Sequence, residues 1–394
     1  MKTKKIIALI LALLLTAALF TACADKDTVD VKPTETISGS EPQQTSAPVQ
    51  TASPEQSAEP EPVESTGTPS AQTVIFTDST GRDVEVPQNI TKIAVTGPLA
   101  QIVLFSVAPD KMVGIATEWD QSAAEYFDEK YYNLPVLGQL YGGKGELNLE
   151  ELLLADPDIV IDVGETKGNV GEDLTALQEQ TGIPFVHIAA YTASMKETYR
   201  MLGELLGLEE KAEALGAFCE EVYSIGLEVS RQVADENKTT LLYCLGDQGL
   251  NVIAKGSFHA EIIDMLALNA AVVDEPSSKG TGNETDMEQL LLWDPEIILF
   301  APDSVYDNVG SDPNWQQLSA IRNGKYYRVP FGPYNWLMSP PSVQRFLGIL
   351  WLADLLYPDV TDYDLFTEVK EYYSLFYHCD LTQAQFEALT ENSR

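Results

Sequence analysis

The chain has 394 residues but only three histidines, His187, His259 and His378, spread across its length. It carries neither an H-E-x-x-H pair nor a G-x-S-x-G elbow, so no hydrolase machinery is legible and no enzymatic activity is expected. Cys23, Cys219, Cys244 and Cys379 show no C-x-x-C or Cys/His spacing and predict no metal site; for the last three, one disulfide or buried free thiols both remain open. The available residue types suit gripping a ligand. Two loops carry a Lys-Gly pair, Tyr141-Gly142-Gly143-Lys144-Gly145 and Ser277-Ser278-Lys279-Gly280-Thr281-Gly282. Glycine brings backbone N–H groups close to a ligand and lysine adds positive charge, which suits an anionic group. Aromatic side chains offer a second grip. Trp119, Tyr141, Tyr191, Phe258, Tyr334 and Trp336 follow strands or precede helices, as the apolar wall for a planar or chelated ligand requires. Thr96 and Gly97 sit where a strand feeds a helix and add N–H donors. His259 is a further candidate, for a metal or an oxyanion. The ligand these residues fit is a metal chelate, a tetrapyrrole or a small oxyanion; no cofactor is expected.

Both Lys-Gly loops precede a duplicated segment. NLEELLLADPDIVI (148–161) and DMEQLLLWDPEIIL (286–299) share seven identical residues in fourteen, six more are conservative exchanges, and only Ala155 against Trp293 is a real change. Each copy opens on an N-capping side chain, Asn148 or Asp286, and runs through three leucines. Each then stops at Asp-Pro and continues into an Ile/Val strand of buried, parallel type. Two helix-to-strand steps of one kind predict paired α/β lobes facing each other across a cleft at the carboxyl ends of their strands.

The remaining elements divide accordingly. A hairpin around Thr80-Gly81 and a βα alternation occupy 73–190; KIAVTG, MVGIA, PVLG, DIVIDVG and FVHI are its strands, and 123–131 and 171–180 are helical. Ser194 with Glu197 spells a capping box, and a second helix over 209–235, about 40 Å long, stiffens a linker at 191–237. A C-terminal lobe, 238–394, restarts with TLLYCLG, LNVIA and AVVD. Ser339-Pro340-Pro341 opens a helix there whose Val343, Phe346, Leu347, Leu350 and Trp351 form a core stripe.

Residues 1–22 carry Lys2, Lys4 and Lys5 before an apolar run and end in small residues at Cys23, which reads as a lipoprotein signal whose cysteine is acylated. Residues 23–72 begin at the lipidated cysteine and are rich in Ser, Thr, Pro, Glu, Gln and Asp with almost no large apolar residue, which predicts a disordered tether holding the folded part at the outer face of a membrane. The formal net charge is −36, so nucleic acid is excluded as a partner through bulk electrostatics.

TDSTGRDVEVP, KIAVTGPLAQIVLFSVAPDKMVGI, LNLEELLLADPDIVI and SPPSVQRFLGILWLADLLYPD, in that order, resemble the iron-complex (siderophore), haem and cobalamin class of ABC-importer substrate-binding proteins over residues 73–380. The resemblance implies α/β lobes joined by a long rigid helix, with the ligand in a groove between them. It further implies delivery of the ligand to an ABC permease and its ATPase; with the anchor read at Cys23, a monomer on the extracytoplasmic face of the cell membrane is expected. In that class an acidic residue on each lobe docks on the permease, and the matching positions are Glu150 and Glu288. Alternatives left open are a receptor for molybdate or tungstate, and a ligand-sensing lipoprotein that transports nothing.

Overall fold

A computed structural model describes residues 72–141 and 146–394. The leader, Cys23 and almost all of the tether, and also Gly142 and Lys144, lie outside the described residues.

Both copies of the repeat fold as helix then strand, and by the same local devices. The helix Leu149–Ala155 is capped by the Asn148 side chain, which accepts the N–H groups of Glu150 and Glu151; Met287–Trp293 is capped by Asp286, which accepts from Gln289. Each ends on a left-handed aspartate, Asp156 at φ 49° and Asp294 at φ 30°. The next acidic residue of each copy clamps the start of the neighbouring strand. Asp158 accepts from Thr91 and Lys92 N–H at 2.7 and 2.8 Å, and Glu296 accepts from Thr240 N–H at 2.9 Å.

The strands that follow, β4 (Ile159–Gly164) and β10 (Ile297–Phe300), are the centres of two sheets. β4 lies between β3 (Ile93–Val95) and β5 (Phe185–Ala189), all parallel. β10 lies between β6 (Thr240–Leu245) and β11 (Tyr326–Arg328), again parallel, and short β8 (Leu268–Asn269) flanks β6. The second sheet adds two antiparallel strands, β7 (Asn251–Val252) and β9 (Asn283–Glu284), so only its parallel part imitates the first. A separate hairpin, β1 (Thr73–Thr77) with β2 (Asp83–Pro87), turns at Gly81, where φ is 82°.

Several expected elements are shorter or absent. MVGIA and PVLG make single bridges, Ile93 to Met112 and Ile115 to Val136; at Gly114 the chain lies so close to Leu137 that a Cβ would stand 2.5 Å from its Cγ. AVVD forms no strand, and 123–131 splits into a 3-10 turn, Gln121–Glu125, and a four-residue helix, Glu129–Tyr132. The capping box at Ser194 does not form: a 3-10 turn Thr192–Ser194 leads into Met195–Leu206, and Glu197 pairs with Arg200 at 2.6 Å. The linker helix spans Glu209–Gln232, about 36 Å, ending before 235 where Val233 turns extended. The helix after Ser339 begins only at Arg345, so Val343 precedes it; Val343 and the helical Phe346, Leu347, Leu350 and Trp351 are all fully buried.

The first sheet falls within 73–190 and the second within 238–394, yet one core serves both. Val95, Phe105 and Ile188 from one side join Tyr243, Leu299 and Phe346 from the other in a single cluster that also takes in Leu215 and Phe218 of the linker helix. Smaller clusters cover the outer face of each sheet. Among the described residues no helix is long and apolar enough to cross a membrane, and Cys219, Cys244 and Cys379 are free thiols.

Candidate ligand-binding groove

Parallel strands point their carboxyl ends, and the loops that follow them, at a common edge. Here Thr96 and Gly97 follow β3, Glu165 and Lys167 follow β4, and Tyr191 follows β5; Gly246 follows β6, and Ala301 and Asp303 follow β10. Three cavities occupy this zone. One of 320 Å³ is lined by Thr96, Gly97, Tyr141, Asp162, Lys167 and Phe258. A neighbour of 610 Å³, lined by Tyr191, Glu261 and Arg345, shares Leu99, Val163, Glu165, Phe258 and Pro341 with it. A third, of 1280 Å³, lies along the second sheet against Gly246, Lys279, Asp303 and Asn335, with Asp120 from the first-lobe side.

Phe258 is the shared wall, and two cations flank it. Lys167 Nζ stands 4.8 Å and the Arg345 guanidinium 4.7 Å from its ring centroid, within cation–π range. Arg345 is only 2% exposed, and its charge is held by Glu261 at 2.5 Å and by the Phe258 carbonyl at 2.8 Å. Glu261 also accepts from Thr192 Oγ1 at 2.7 Å. Lys167 pairs with Glu165. Thus a residue from each lobe touches one ring, and that contact marks the waist of the groove.

The first lobe's side of the groove is polar underneath. Asp162 accepts the Thr96 hydroxyl and lies 2.6 Å from His187 Nδ1; His187 Nε2 is 2.9 Å from Thr166 Oγ1, and the Thr166 N–H donates to the Tyr191 hydroxyl at 3.3 Å. Tyr141 donates to Asp173 at 2.9 Å, and burial followed by that carboxylate pushes its hydroxyl pKa well up, so it stays a protonated donor.

Of the residues expected to hold ligand, Thr96, Gly97, Tyr141 and Phe258 converge on one cavity, Tyr191 lines the next, and Lys279 lines the third. His259 is buried under the Lys279 loop, 3.5 Å from where a Gly280 Cβ would stand; burial, then the Arg345 charge, depresses its pKa. Two expectations are corrected. Trp119 packs edge-on to Phe105 and Phe127 and donates to the Tyr131 carbonyl at 3.0 Å, and Trp336 has no exposed surface; both are core. Tyr334 lies half-buried against Trp119. In that segment it is Asn335 that lines a cavity, held by the Tyr243 hydroxyl at 2.8 Å.

Asp162, Lys167, Glu261 and Arg345 escape sequence reasoning. Two left a signal: Arg345 is the one charge in the run from Ser342 to Ala353, and Asp162 interrupts a buried strand. Among the described residues no three His, Cys, Asp or Glu side chains converge as a metal would need.

Comparison with known proteins places this geometry. Residues 93–332 match the family model described as periplasmic binding protein. Over 193 residues the chain is 24% identical to the Fe(3+)-citrate-binding protein YfmC of Bacillus subtilis; the match covers 47% of this chain and 58% of that protein, less than two thirds of its length. Among solved structures, an ABC transporter solute binding protein from Sulfurospirillum deleyianum is 26% identical with a TM-score of 0.73, covering 80% of this chain and 99% of that one. A periplasmic solute binding protein from Veillonella parvula is 25% identical with a TM-score of 0.66, covering 82% and 98%. The molybdate periplasmic binding protein MolA of Haemophilus influenzae, 20% identical with a TM-score of 0.63 over 78% and 99%, shares the fold.

Proposed function

The chain belongs to the periplasmic binding protein family, and on that premise we propose that it is an extracytoplasmic receptor, anchored by acylated Cys23, that captures a chelated iron and hands it to an ABC importer. The observation that carries the ligand class is the waist of the groove, where Lys167 and Arg345 flank the Phe258 ring. A ferric chelate arrives with its metal already coordinated and presents negative charge over an extended, partly apolar surface. Its receptor needs walls, which Phe258, Tyr141 and Tyr191 supply from both lobes, and an accessible cation, which Lys167 supplies; buried Arg345 fixes the Phe258 ring. The iron-citrate relative supports the same class. Haem and corrinoids share the need for aromatic walls and are the neighbouring candidates. A small oxyanion seated at the Gly97 N–H groups would meet the Asp162 carboxylate in the same cavity, which disfavours molybdate.

Glu150 and Glu288 are both exposed, and each is the second residue of its repeat helix. In this reading they meet cations of the permease, and Glu150→Gln with Glu288→Gln stops uptake while ligand affinity is kept. Uptake surviving that double change would overturn the docking assignment of Glu150 and Glu288 and leave the lobes and groove as they are.

The test of the ligand is native mass spectrometry with visible absorption on the purified chain, titrated separately with ferric citrate, a ferric siderophore, haem, cobalamin and molybdate. The expected result is a coloured one-to-one ferric complex, weakened about tenfold or more by Lys167→Ala. Binding of molybdate alone would overturn the proposal.

A further inference from the structure

The two most exposed large apolar side chains among the described residues are Leu292, at 79%, and Leu154, at 78%. They hold the same place in the duplication. Each is the sixth residue of a seven-residue helix, and each stands one turn after an exposed glutamate, Glu288 or Glu150. A spacing of four puts glutamate and leucine on one face, while the residue buried from each helix is Leu152 or Leu290. A single exposed leucine needs no explanation. Two at equivalent positions, each beside the one residue of the repeat that has truly changed, do. Ala155 became Trp293 on the other side, and exposed Leu153 corresponds to half-buried Leu291. Neither Leu154 nor Leu292 belongs to a core cluster, so folding does not account for their being apolar.

We propose that Leu154 and Leu292 are paired apolar anchors that seat the protein on a membrane partner presenting two equivalent sockets, each an apolar pocket rimmed by cations that receive Glu150 or Glu288. This rests on the importer reading and adds to it the apolar half of the contact and the equivalence of its two ends. The strongly acidic chain, with a formal net charge of −36, makes a cationic rim the complementary surface. Charge at the edge orients the encounter and is screened by salt; a leucine buried at the centre holds the complex and is not. Two identical knobs on two lobes match a partner whose own surface is repeated.

A photo-crosslinking residue placed at 154 or 292 of the full lipidated chain, in its own membranes, tests this. Ile75 and Val272, both 65% exposed, serve as controls. Both anchor positions should attach to the same segment of one integral membrane protein, the controls should not, and Glu150→Gln with Glu288→Gln should cut the yield at least fivefold. No adduct, a self-adduct, different proteins from the two positions, or equal labelling from the controls would each overturn the proposal. Crosslinkers at 150 and 288 separate the two readings: if they label the membrane protein while 154 and 292 do not, the importer reading stands and the anchors fall. As a second measurement, Leu154→Ser or Leu292→Ser should keep the melting temperature and weaken association with those membranes by about tenfold each. An unchanged affinity in the double variant would also overturn it.

Discussion

One strand position beyond the duplicated segment the two lobes part company: Asp162 stands in the first where Phe300 stands in the second. Asp162 gathers Thr96 and His187 into a buried polar group beside the groove. Phe300 packs edge-on to Trp315 at 5.2 Å and faces Tyr306 and Tyr326 in an aromatic core. Up to that point the copies use the same cap, the same left-handed aspartate and the same acidic clamp on the neighbouring strand. The difference teaches which parts of a duplicated unit are held by backbone rules and which are free. Hydrogen-bonding requirements at helix ends and strand starts are local and persisted; volume and polarity where the strand meets other elements are set by the surroundings and changed.

The largest effects are expected in the loops that lead into the two repeats. Gly138 and Gly282 lie in the loops before the two repeat helices, at φ 83° and 71°, and a Cβ on either would collide with a backbone carbonyl oxygen, that of Glu146 or Val252. Gly138→Ala and Gly282→Ala should each destabilise by about 4 kcal/mol in chemical denaturation; a large loss from only one would show that the loops are not equivalent. Next comes the divergent position. Asp162→Ala leaves His187 Nδ1 and the Thr96 hydroxyl without their partner and should cost about 3 kcal/mol, with hydrogen exchange in β4 and β5 rising more than in β10. At the one real change within the repeat, Trp293→Ala should cost about 2 kcal/mol by leaving a gap against the second sheet's outer cluster. Ala155→Trp should cost a similar amount by overfilling the first lobe's. Equal melting temperatures for wild type and Ala155→Trp would mean that the first lobe has room the structure does not show.

The smallest effect is a pH slope. Burial and then a nearby cation, Arg345 for His259 and Lys211 for His378, hold both imidazoles below their ordinary pKa of 6.5. The unfolded chain therefore binds more protons than the folded one just below pH 6.5. This contribution is complete above that pH and is lost as the pH falls toward the folded values. His378→Asn, which tolerates the left-handed backbone at φ 57°, should flatten the stability slope between neutral and mildly acidic pH.

The sequence made legible what depends on neighbours along the chain. The repeat helices, their caps and stops, the parallel strands, the linker and the core stripe of the helix at 345 all follow from side chains a few residues apart. Thr96, Gly97 and Tyr191 were readable as cavity residues because the carboxyl end of a parallel strand faces the groove whatever else surrounds it, and Phe258 because it stands just before a helix, Glu261–Leu266. Trp119 and Trp336 stand at similar places, but Phe105, Phe127 and the last helices close over them, and no spacing announces that. Arg345 and Lys167 were missed for the same reason: each acquires its role through Phe258, which is 87 residues from the first and 91 from the second. The Ser194 capping box failed because Arg200, a turn further on, competes for Glu197.

The cluster that draws side chains from both sheets and the linker helix has a consequence for whether the lobes can be separated. Phe105 from the first lobe, Phe218 from the linker helix, and Tyr243 and Phe346 from the second lobe share one interior. Cutting the chain between the lobes would leave each half with a raw apolar face and half the partners it was selected beside. The two lobes are therefore expected to melt in one transition, and neither is expected to fold when expressed without the other.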